Sequence, residues 1–337
     1  MSTNTGAIVG SFYFDPYCRL NHKTSTSYNE LALNQYNSLS TKSVSYLITN
    51  FAEPVIDGQS TQLSFSQIIS LFKQFGHIMH QSLSASTYAE ISGVSGAEWD
   101  VANFFPQFFA LWPLNSYAVI ASCSRHVANG SPLPESEFDK IRRAHYHFAS
   151  FDLKHEIYRM ALDLALYSSG NFWSDIRDQH EIYRMALDLA LYSSGNFWSD
   201  IRDQVWDEYM TPFVRDRLDK HPCSFRAIFS DDLAAAYFST KWAEMLAADA
   251  FGAFQVADVD NDKAVAQVGA RFTDSFLTNS ADYKSSEVFR RFLGRDPSPD
   301  AYLRINGLYG KDSYAKRDTL LANERTVIDT SAEKHAN

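Results

Sequence analysis

The stretch Lys73-Gln-Phe-Gly-His77 has the spacing of a zinc-binding helix but not its residues. In the intact motif, two histidines four residues apart bind the metal from one helix face, and a glutamate after the first activates a water. Here Lys73 stands at the first histidine position, Gln74 stands at the glutamate position, and only His77 is retained. The motif is therefore degenerate at two of its three functional positions.

Each replacement removes a specific chemical capacity. The ammonium group of Lys73 is charged at neutral pH, offers no lone pair and repels a dication. The amide of Gln74 cannot take a proton from water near neutral pH, and loss of a general base lowers a rate by about 10²–10⁴-fold. The sequence therefore predicts no intact catalytic group and no intact metal site at Lys73, Gln74 and His77.

A second metal site could in principle combine His77 and His80 with Glu98 or Asp100. The two histidines are only three residues apart, but no third ligand has a fixed place beside them. Two imidazoles alone make a weak site. We therefore expect both histidines to be ordinary polar residues of a helix.

Two other stretches imitate functional motifs. The segment 258–262 begins like a calcium loop, but Lys263 and Gly269 replace the glycine and the glutamate that such a loop needs, which predicts a solvated turn. The pentapeptide HEIYR at 155–159 and 180–184 begins like a zinc motif but ends in arginine, and we interpret it as the start of a helix.

The elements that must position these residues follow from periodicity. Short runs of β-favouring residues, bounded by polar loops, predict strands over 11–17 and 44–51. From Phe65, apolar residues recur every three or four positions, which predicts a helix with Ser64 or Ser66 as its N-cap. Further helices are predicted over 97–112, 115–129, 135–168, 205–220, 233–255 and 286–293.

The expected fold is mainly α-helical with a small N-terminal β element. We predict a β-containing segment over 1–60 and a helical domain over 61–308. The polar tail, 309–337, has few large apolar residues and is predicted to be disordered.

A tandem repeat interrupts the helical region. The sequence from His155 to Gln179 recurs letter for letter from His180 to Gln204. Solenoid repeats diverge in sequence and need about three copies to bury a core, so two identical copies do not indicate a solenoid. The repeat is either a neutral duplication or assembly error, or a retained surface element.

Composition excludes several classes of function. The chain has 337 residues, a net charge of −10 and no cluster of basic residues, which argues against nucleic-acid binding. The three cysteines form no CxxC pair and suggest a reducing compartment. With neither a signal peptide nor a long apolar run, we expect an intracellular protein, cytoplasmic or mitochondrial, with no membrane span.

Five stretches, in the same order along the chain, together resemble the thimet oligopeptidase and oligopeptidase A family (M3) of zinc metallopeptidases. They are GSFYFDPYCR (10–19), SYLITNFAEP (45–54), KQFGHIMHQSLS (73–84), KWAEMLAADAFGAF (241–254) and FRRFLGRDPSPDAYLRINGL (289–308). The resemblance covers only the family's catalytic, C-terminal half and implies a zincin-like helical fold.

The resemblance also implies where the family's third metal ligand, a glutamate on the next helix, should stand. Aligned on Gln107, that position falls on Asn103, or on Ala102 if the gap is placed differently. Neither residue carries a carboxylate, so the degenerate ligand set is Lys73, His77 and Asn103.

On the substrate side, the resemblance implies a histidine and tyrosines that stabilise an oxyanion. Ala227 stands at the histidine, and Phe238 and Thr240 stand where tyrosines are expected. Tyr237 is a candidate residual oxyanion donor. The aspartates at 231–232 add negative charge where an oxyanion would form, which is unfavourable for catalysis.

Three hypotheses for function follow. The first is a non-catalytic relative of these peptidases, acting as a binding or structural subunit without a cofactor. The second is an active zinc oligopeptidase that cleaves short peptides, and the third is a non-functional relic. Because half of the family's channel is missing, we expect apolar surface such as 103–112 to be covered by a protein partner or a second copy; the same run is also consistent with core packing.

Overall fold

The computed structural model describes residues 6, 8–19, 23, 28–33, 42–54, 61–84, 92–168, 198–216, 219, 221–229, 233–278 and 283–308. The chain forms two compact units. Unit 1 comprises Met1–His147 and Trp242–Asn337, and unit 2 comprises Phe148–Lys241. The predicted disordered tail, 309–337, lies outside the described residues.

Unit 1 begins with a small mixed sheet of β1 (Gly10–Tyr17), β2 (Tyr28–Leu33) and β3 (Ser43–Phe51). The strand order is β1-β3-β2, with β3 parallel to β1 and antiparallel to β2. The predictions of strands at 11–17 and 44–51 are confirmed. Strand β2 was missed because its sequence, YNELAL, lies in a polar region without the enrichment in β-branched and aromatic residues typical of strands.

The rest of the described fold is mainly helical, as predicted. In chain order the helices are α1 (Phe65–Leu83), α2 (Phe104–Ala110), α3 (Trp112–Asn115), α4 (Tyr117–Cys123), α5 (Glu135–His145), α6 (Ala149–Ser168), α7 (Trp198–Tyr209), α8 (His221–Ser224), α9 (Arg226–Phe229), α10 (Phe238–Ala257), α11 (Asp262–Phe272), α12 (Ser285–Leu293) and α13 (Asp300–Ile305). None of the helices in the described ranges combines the length and apolar character needed to cross a bilayer.

Helix α1 starts where the sequence predicts. Ser64 accepts a hydrogen bond from the backbone N–H of Gln67, and the Gln67 side chain accepts one from the backbone of Ser64, which completes a capping box. The helix then packs closely on α2 at Gly76. A Cβ atom at position 76 would lie 2.7 Å from the carbonyl oxygen of Phe105, so only glycine permits this approach.

The predicted helix over 97–112 is in fact divided. Two 3₁₀ turns, Gly93–Gly96 and Trp99–Val101, precede α2, and the chain bends again before α3. Pro113 lies in the first turn of α3, where its missing N–H causes no loss, so the proline favours a new helix rather than continuation of α2.

The run 103–112 belongs to the core of unit 1. Phe104, Phe105 and Phe108 are at most 3% exposed, and Phe108 stacks on Phe272 with 4.2 Å between ring centroids. The interpretation as core packing is confirmed. The expectation that this run is exposed surface awaiting a partner is wrong, because α10, α11 and α12 of the same chain supply the residues that cover it.

Unit 2 is built around the packing of α6 on α7. Tyr158, Leu162 and Leu166 of α6 share a buried cluster with Ile201 and Val205 of α7. The predicted helix over 135–168 is two helices, because α5 ends at His145 and α6 starts at Ala149. The pentapeptide HEIYR therefore lies inside α6 rather than at its start.

The helix pair combines parts of both repeat copies. Residues 155–168 of α6 come from the first copy, and residues 198–204 of α7 come from the second copy. The intervening residues 169–197 lie outside the described part of the chain. One helix pair is thus assembled from the beginning of one copy and the end of the other.

Candidate functional site

Helix α1 places the degenerate motif on a partly exposed surface. Lys73 and His77 are four residues apart and therefore neighbours on one face of the helix. Burial, and secondarily the positive charge of Lys73, lower the pKa of His77 to about 4. His77 is therefore neutral at pH 7, and its imidazole retains a lone pair beside a cationic side chain.

The third ligand position lies at the start of the adjacent helix. Asn103 is the N-cap residue of α2, and its side chain makes no capping hydrogen bond. Since α2 contacts α1 at Gly76, the motif and Asn103 stand on helices packed against each other, as the resemblance implies. Ala102, the other possible position, has no side-chain donor atom. The structure thus places the two ends of the expected ligand set on adjacent helices, Lys73 and His77 on α1 and Asn103 at the start of α2.

The three positions do not fit a zinc ion. An ammonium group has no lone pair, and neutral amide oxygens are poor substitutes for the imidazole, thiolate and carboxylate ligands that zinc takes in proteins. Among the residues that the structure describes, no group of three or more histidine, cysteine or acidic side chains is placed to hold a metal ion. The residues at these positions therefore provide no basis for a metal-dependent catalytic step.

The alternative grouping of His80 with Glu98 and Asp100 has a different character. His80 is 1% exposed and stacks on Phe105 with 4.0 Å between ring centroids. Burial, followed by the nearby His77, lowers the pKa of His80 to about 3. His80 is thus a neutral, buried aromatic neighbour of the core rather than one member of a three-ligand set.

Tyr237 belongs to unit 2 and is engaged within that unit. Its hydroxyl donates a hydrogen bond to Oε2 of Glu156 at 3.0 Å, and the other carboxylate oxygen pairs with Arg159 at 2.6 Å. Burial, together with the negative charge of Glu156, raises the pKa of Tyr237. A phenol has one proton to donate, so in this arrangement Tyr237 has none for an oxyanion.

The backbone around Tyr237 is held by a buried carboxylate. Asp163, which is 0% exposed, accepts hydrogen bonds from the backbone N–H groups of Ala235 at 2.9 Å and Tyr237 at 3.1 Å. Ala235 has a φ of 55°, an uncommon value for a residue other than glycine, and this bond helps to fix it. Burial raises the pKa of Asp163, whereas the two backbone donors lower it.

The sequence did not reveal Asp163 or Glu156 as partners of this segment. They lie 74 and 81 residues before Tyr237, and both sit in the repeated unit, which gave no sign of a role. The remaining expected positions, Ala227, Phe238 and Thr240, lie on α9 and α10. The aspartates at 231–232 fall outside the described residues.

The segment 258–262, whose sequence begins like a calcium loop, caps two helices. Oδ1 of Asp260 accepts hydrogen bonds from Ser116 Oγ at 2.7 Å and from the backbone of Ala118 at 3.0 Å, at the start of α4. Asn261 caps α11 by accepting from the backbone N–H groups of Lys263 and Ala264. The interpretation as an exposed turn agrees with this geometry.

The mainly helical fold, with the degenerate motif on α1 packed against α2, is consistent with a chain of the metallopeptidase type. The model of peptidase family M3 matches residues 1–308. The chain therefore belongs to peptidase family M3.

The relatives narrow this relationship to the oligopeptidases. The chain is 30% identical over 319 residues to the organellar oligopeptidase A, chloroplastic/mitochondrial, of Arabidopsis thaliana, covering 93% of this chain and 37% of that protein. It is 29% identical over 303 residues to oligopeptidase A of Escherichia coli, covering 89% and 41%. Saccharolysin of Saccharomyces cerevisiae is 26% identical over 276 residues, covering 79% and 33%.

The coverage is asymmetric. The chain spans about two fifths of the length of the oligopeptidase A relatives it matches. The relatives include one named organellar and another named a probable cytosolic oligopeptidase A. The chain is therefore a member of the family, but the activity of the longer proteins does not follow from that membership.

Proposed function

We propose that the chain is a non-catalytic member of peptidase family M3 that has lost zinc binding and peptide hydrolysis and acts as a binding or structural subunit. The observation that carries this proposal is the pair Lys73 and Gln74 on α1, at the positions of a metal ligand and the general base. The cationic side chain of Lys73 occupies the position of a metal ligand. The amide of Gln74 occupies the position of the group that accepts a proton.

The electrostatics of α1 support the same proposal. The charge of Lys73 already lowers the pKa of His77, which means that it disfavours a positive charge on that imidazole. The same field opposes a dication bound at His77, and does so more strongly because the charge is doubled. Asn103 supplies no compensating negative charge from α2.

The hydrogen bond from Tyr237 to Glu156 supports the loss of oxyanion stabilisation as well. To stabilise an oxyanion, its hydroxyl would have to leave Glu156, and the carboxylate would then lose a hydrogen bond in a partly buried site. Peptide binding that needs no hydrolysis is unaffected by this constraint.

The second candidate, an active zinc oligopeptidase, is favoured by one observation: several relatives that match about nine tenths of this chain are named oligopeptidases. A test must therefore measure metal and hydrolysis together. Purified protein is incubated with one to two equivalents of zinc, desalted and analysed for metal, and hydrolysis of a quenched short peptide is followed with and without chelator.

A restoration variant makes this test informative in both directions. The triple variant Lys73→His, Gln74→Glu and Asn103→Glu supplies the missing donors at the same backbone positions. We expect the natural chain to retain no zinc and the triple variant to retain about one equivalent, with His77→Ala in the triple background removing it again. Stoichiometric zinc with chelator-sensitive cleavage in the natural chain contradicts the proposal and supports the active enzyme.

A protein partner or a second copy belongs to the same proposal, as does location in the cytoplasm or the mitochondrion. The surface for such a partner is not 103–112, since that run is core. Sedimentation of the purified chain over a range of concentrations measures self-association. A monomer that melts cooperatively argues against both a homo-oligomer and a non-functional relic.

A further inference from the structure

A cavity of about 150 Å³ opens in unit 1 beside the aromatic core. Its floor is buried and apolar, formed by Phe104, Leu246, Phe276 and Val288, with the neutral ring of His80 on one side. Apolar cavities of about this volume stay dry and accept a benzene-sized ring. The volume and the apolar lining therefore fit a phenyl group.

The rim of this cavity differs sharply from its floor. Glu98 and Asp100 border it from the second 3₁₀ turn, and Trp242 of α10, 41% exposed, stands beside them. Of the described residues that line the cavity, none is a lysine or an arginine. An apolar interior with two carboxylates at the mouth favours a ligand with an apolar body and a cationic end.

The start of helix α12 also reaches this rim and carries the opposite partial charge. Its first N–H, that of Ser285, already donates to Oε2 of Glu98 at 3.2 Å. A helix N-terminus is equivalent to about half a positive charge, which two carboxylates outweigh. Because the pKa of His80 is lowered to about 3, the floor adds no positive charge at neutral pH. The residues that line the mouth therefore carry a net negative charge.

We propose that this cavity binds a phenyl group that carries an ammonium a few bonds away. The ring enters the apolar floor and the ammonium remains at the rim near Glu98 and Asp100, with Trp242 as a cation–π neighbour. Two sources share this chemistry: a free arylalkylamine and the amino-terminal phenylalanine of a peptide. The site needs neither zinc nor hydrolysis, so it stands or fails separately from the loss of catalysis.

The first experiment compares ligands of matched size and opposite charge. The methyl signals of Leu246 and Val288 are followed by NMR during titration with 2-phenylethylamine and with 3-phenylpropionate. We expect the amine to shift these methyl signals with a dissociation constant on the order of 1 mM. The carboxylate should bind at least about tenfold more weakly, because its charge has the same sign as Glu98 and Asp100.

The second experiment uses variants at the rim. Removing both rim charges, by Glu98→Gln with Asp100→Asn, should weaken binding of the amine by about tenfold. It should also reduce the salt dependence of that binding. The matched control removes two exposed charges elsewhere, Glu135→Gln with Asp262→Asn, and should leave binding almost unchanged. Ser286→Trp, at an exposed rim position that tolerates a large side chain, should block the ring and abolish the methyl shifts.

The third comparison separates the two sources. Phe-Gly-Gly and its N-acetyl derivative differ only in the amino-terminal charge, so preference for the free amine identifies peptide amino termini as ligands. Binding of phenylethylamine alone identifies small amines. Equal affinity for the amine and the carboxylate, methyl shifts that persist in Ser286→Trp, or no shifts at tens of millimolar ligand would each overturn the proposal.

Discussion

Helices α1 and α6 are both long, and each packs on a neighbouring helix in a different way. Helix α1 approaches α2 most closely at Gly76, and the sequence around this glycine occurs once in the chain. Helix α6 depends on a row of buried side chains whose sequence occurs twice. The difference shows that the framework of the degenerate site has no substitute, whereas the framework around Tyr237 has a second copy available in sequence.

The largest effect is expected from a substitution in one copy of the repeat, compared with the same substitution in the other copy. Leu162 is 0% exposed in the cluster of unit 2, so Leu162→Ala should lower the free energy of unfolding by about 4 kcal/mol. The equivalent leucine of the second copy is Leu187, outside the described residues. Denaturant unfolding of Leu187→Ala is the matched control, since the two variants have the same composition.

The flanking residues explain why the first copy should matter more. Helix α6 runs without a break from residues 149–154 into the first copy, and α7 runs from the second copy into Val205, which is buried. Using the other copy in either helix would replace these flanks with different residues. We therefore expect Leu187→Ala to cost less than about 1 kcal/mol. Equal losses in the two variants would mean that the copies exchange places.

A somewhat smaller effect is expected at Gly76. A methyl group there would meet backbone atoms of Phe105 and Pro106 at 2.7–2.9 Å, so α1 and α2 would have to separate. Gly76→Ala should lower the free energy of unfolding by about 3 kcal/mol. The control is Gly252→Ala in α10, where the nearest atom is 3.7 Å away; that variant should be neutral or slightly stabilising.

The effect expected over a single pH unit is the smallest of the three, and it arises from His80. Burial lowers its pKa to about 3 from 6.5, so between these values the unfolded chain binds the proton and the folded chain does not. The contribution to stability is full above about pH 6.5 and is lost as pH falls towards 3, with a slope of about 1.4 kcal/mol per pH unit. His80→Phe should remove this part of the slope.

The comparison for His80 is an exposed histidine. His126 lies on the surface, so His126→Phe should leave the slope of the unfolding free energy against pH close to that of the natural chain. An unchanged slope in His80→Phe would show that other groups produce the acid sensitivity of unit 1.

The sequence predicted those parts of the fold that depend on local signals. The serine N-cap of α1, its apolar stripe and the β-favouring runs of β1 and β3 are all short-range patterns, and the elements they predict were confirmed. The interruption between α5 and α6 was not predicted because no proline or glycine marks residues 146–148. Strand β2 was missed because its pairing with β3, rather than its own composition, defines it.

The candidate site shows the same difference between features defined by local sequence and features defined by distant contacts. The positions of Lys73, Gln74, His77 and Asn103 were predicted because the motif spacing and a collinear resemblance define them. The partner of Tyr237 and the cavity beside His80 arise from contacts between residues far apart in the chain. No spacing rule in a single sequence indicates which distant carboxylate will meet a given phenol.

The composite origin of the α6–α7 pair has a genetic consequence. Because the two copies are identical, deleting any 25 consecutive residues within 155–204 gives the same shortened protein, whatever the breakpoint. That deletion would leave the residues of α6 joined through a short segment to the same residues that now form α7. The duplication is therefore reversible in a single event. After recombination between the copies, the remaining copy would encode the whole helix pair, and neither end of the pair would change.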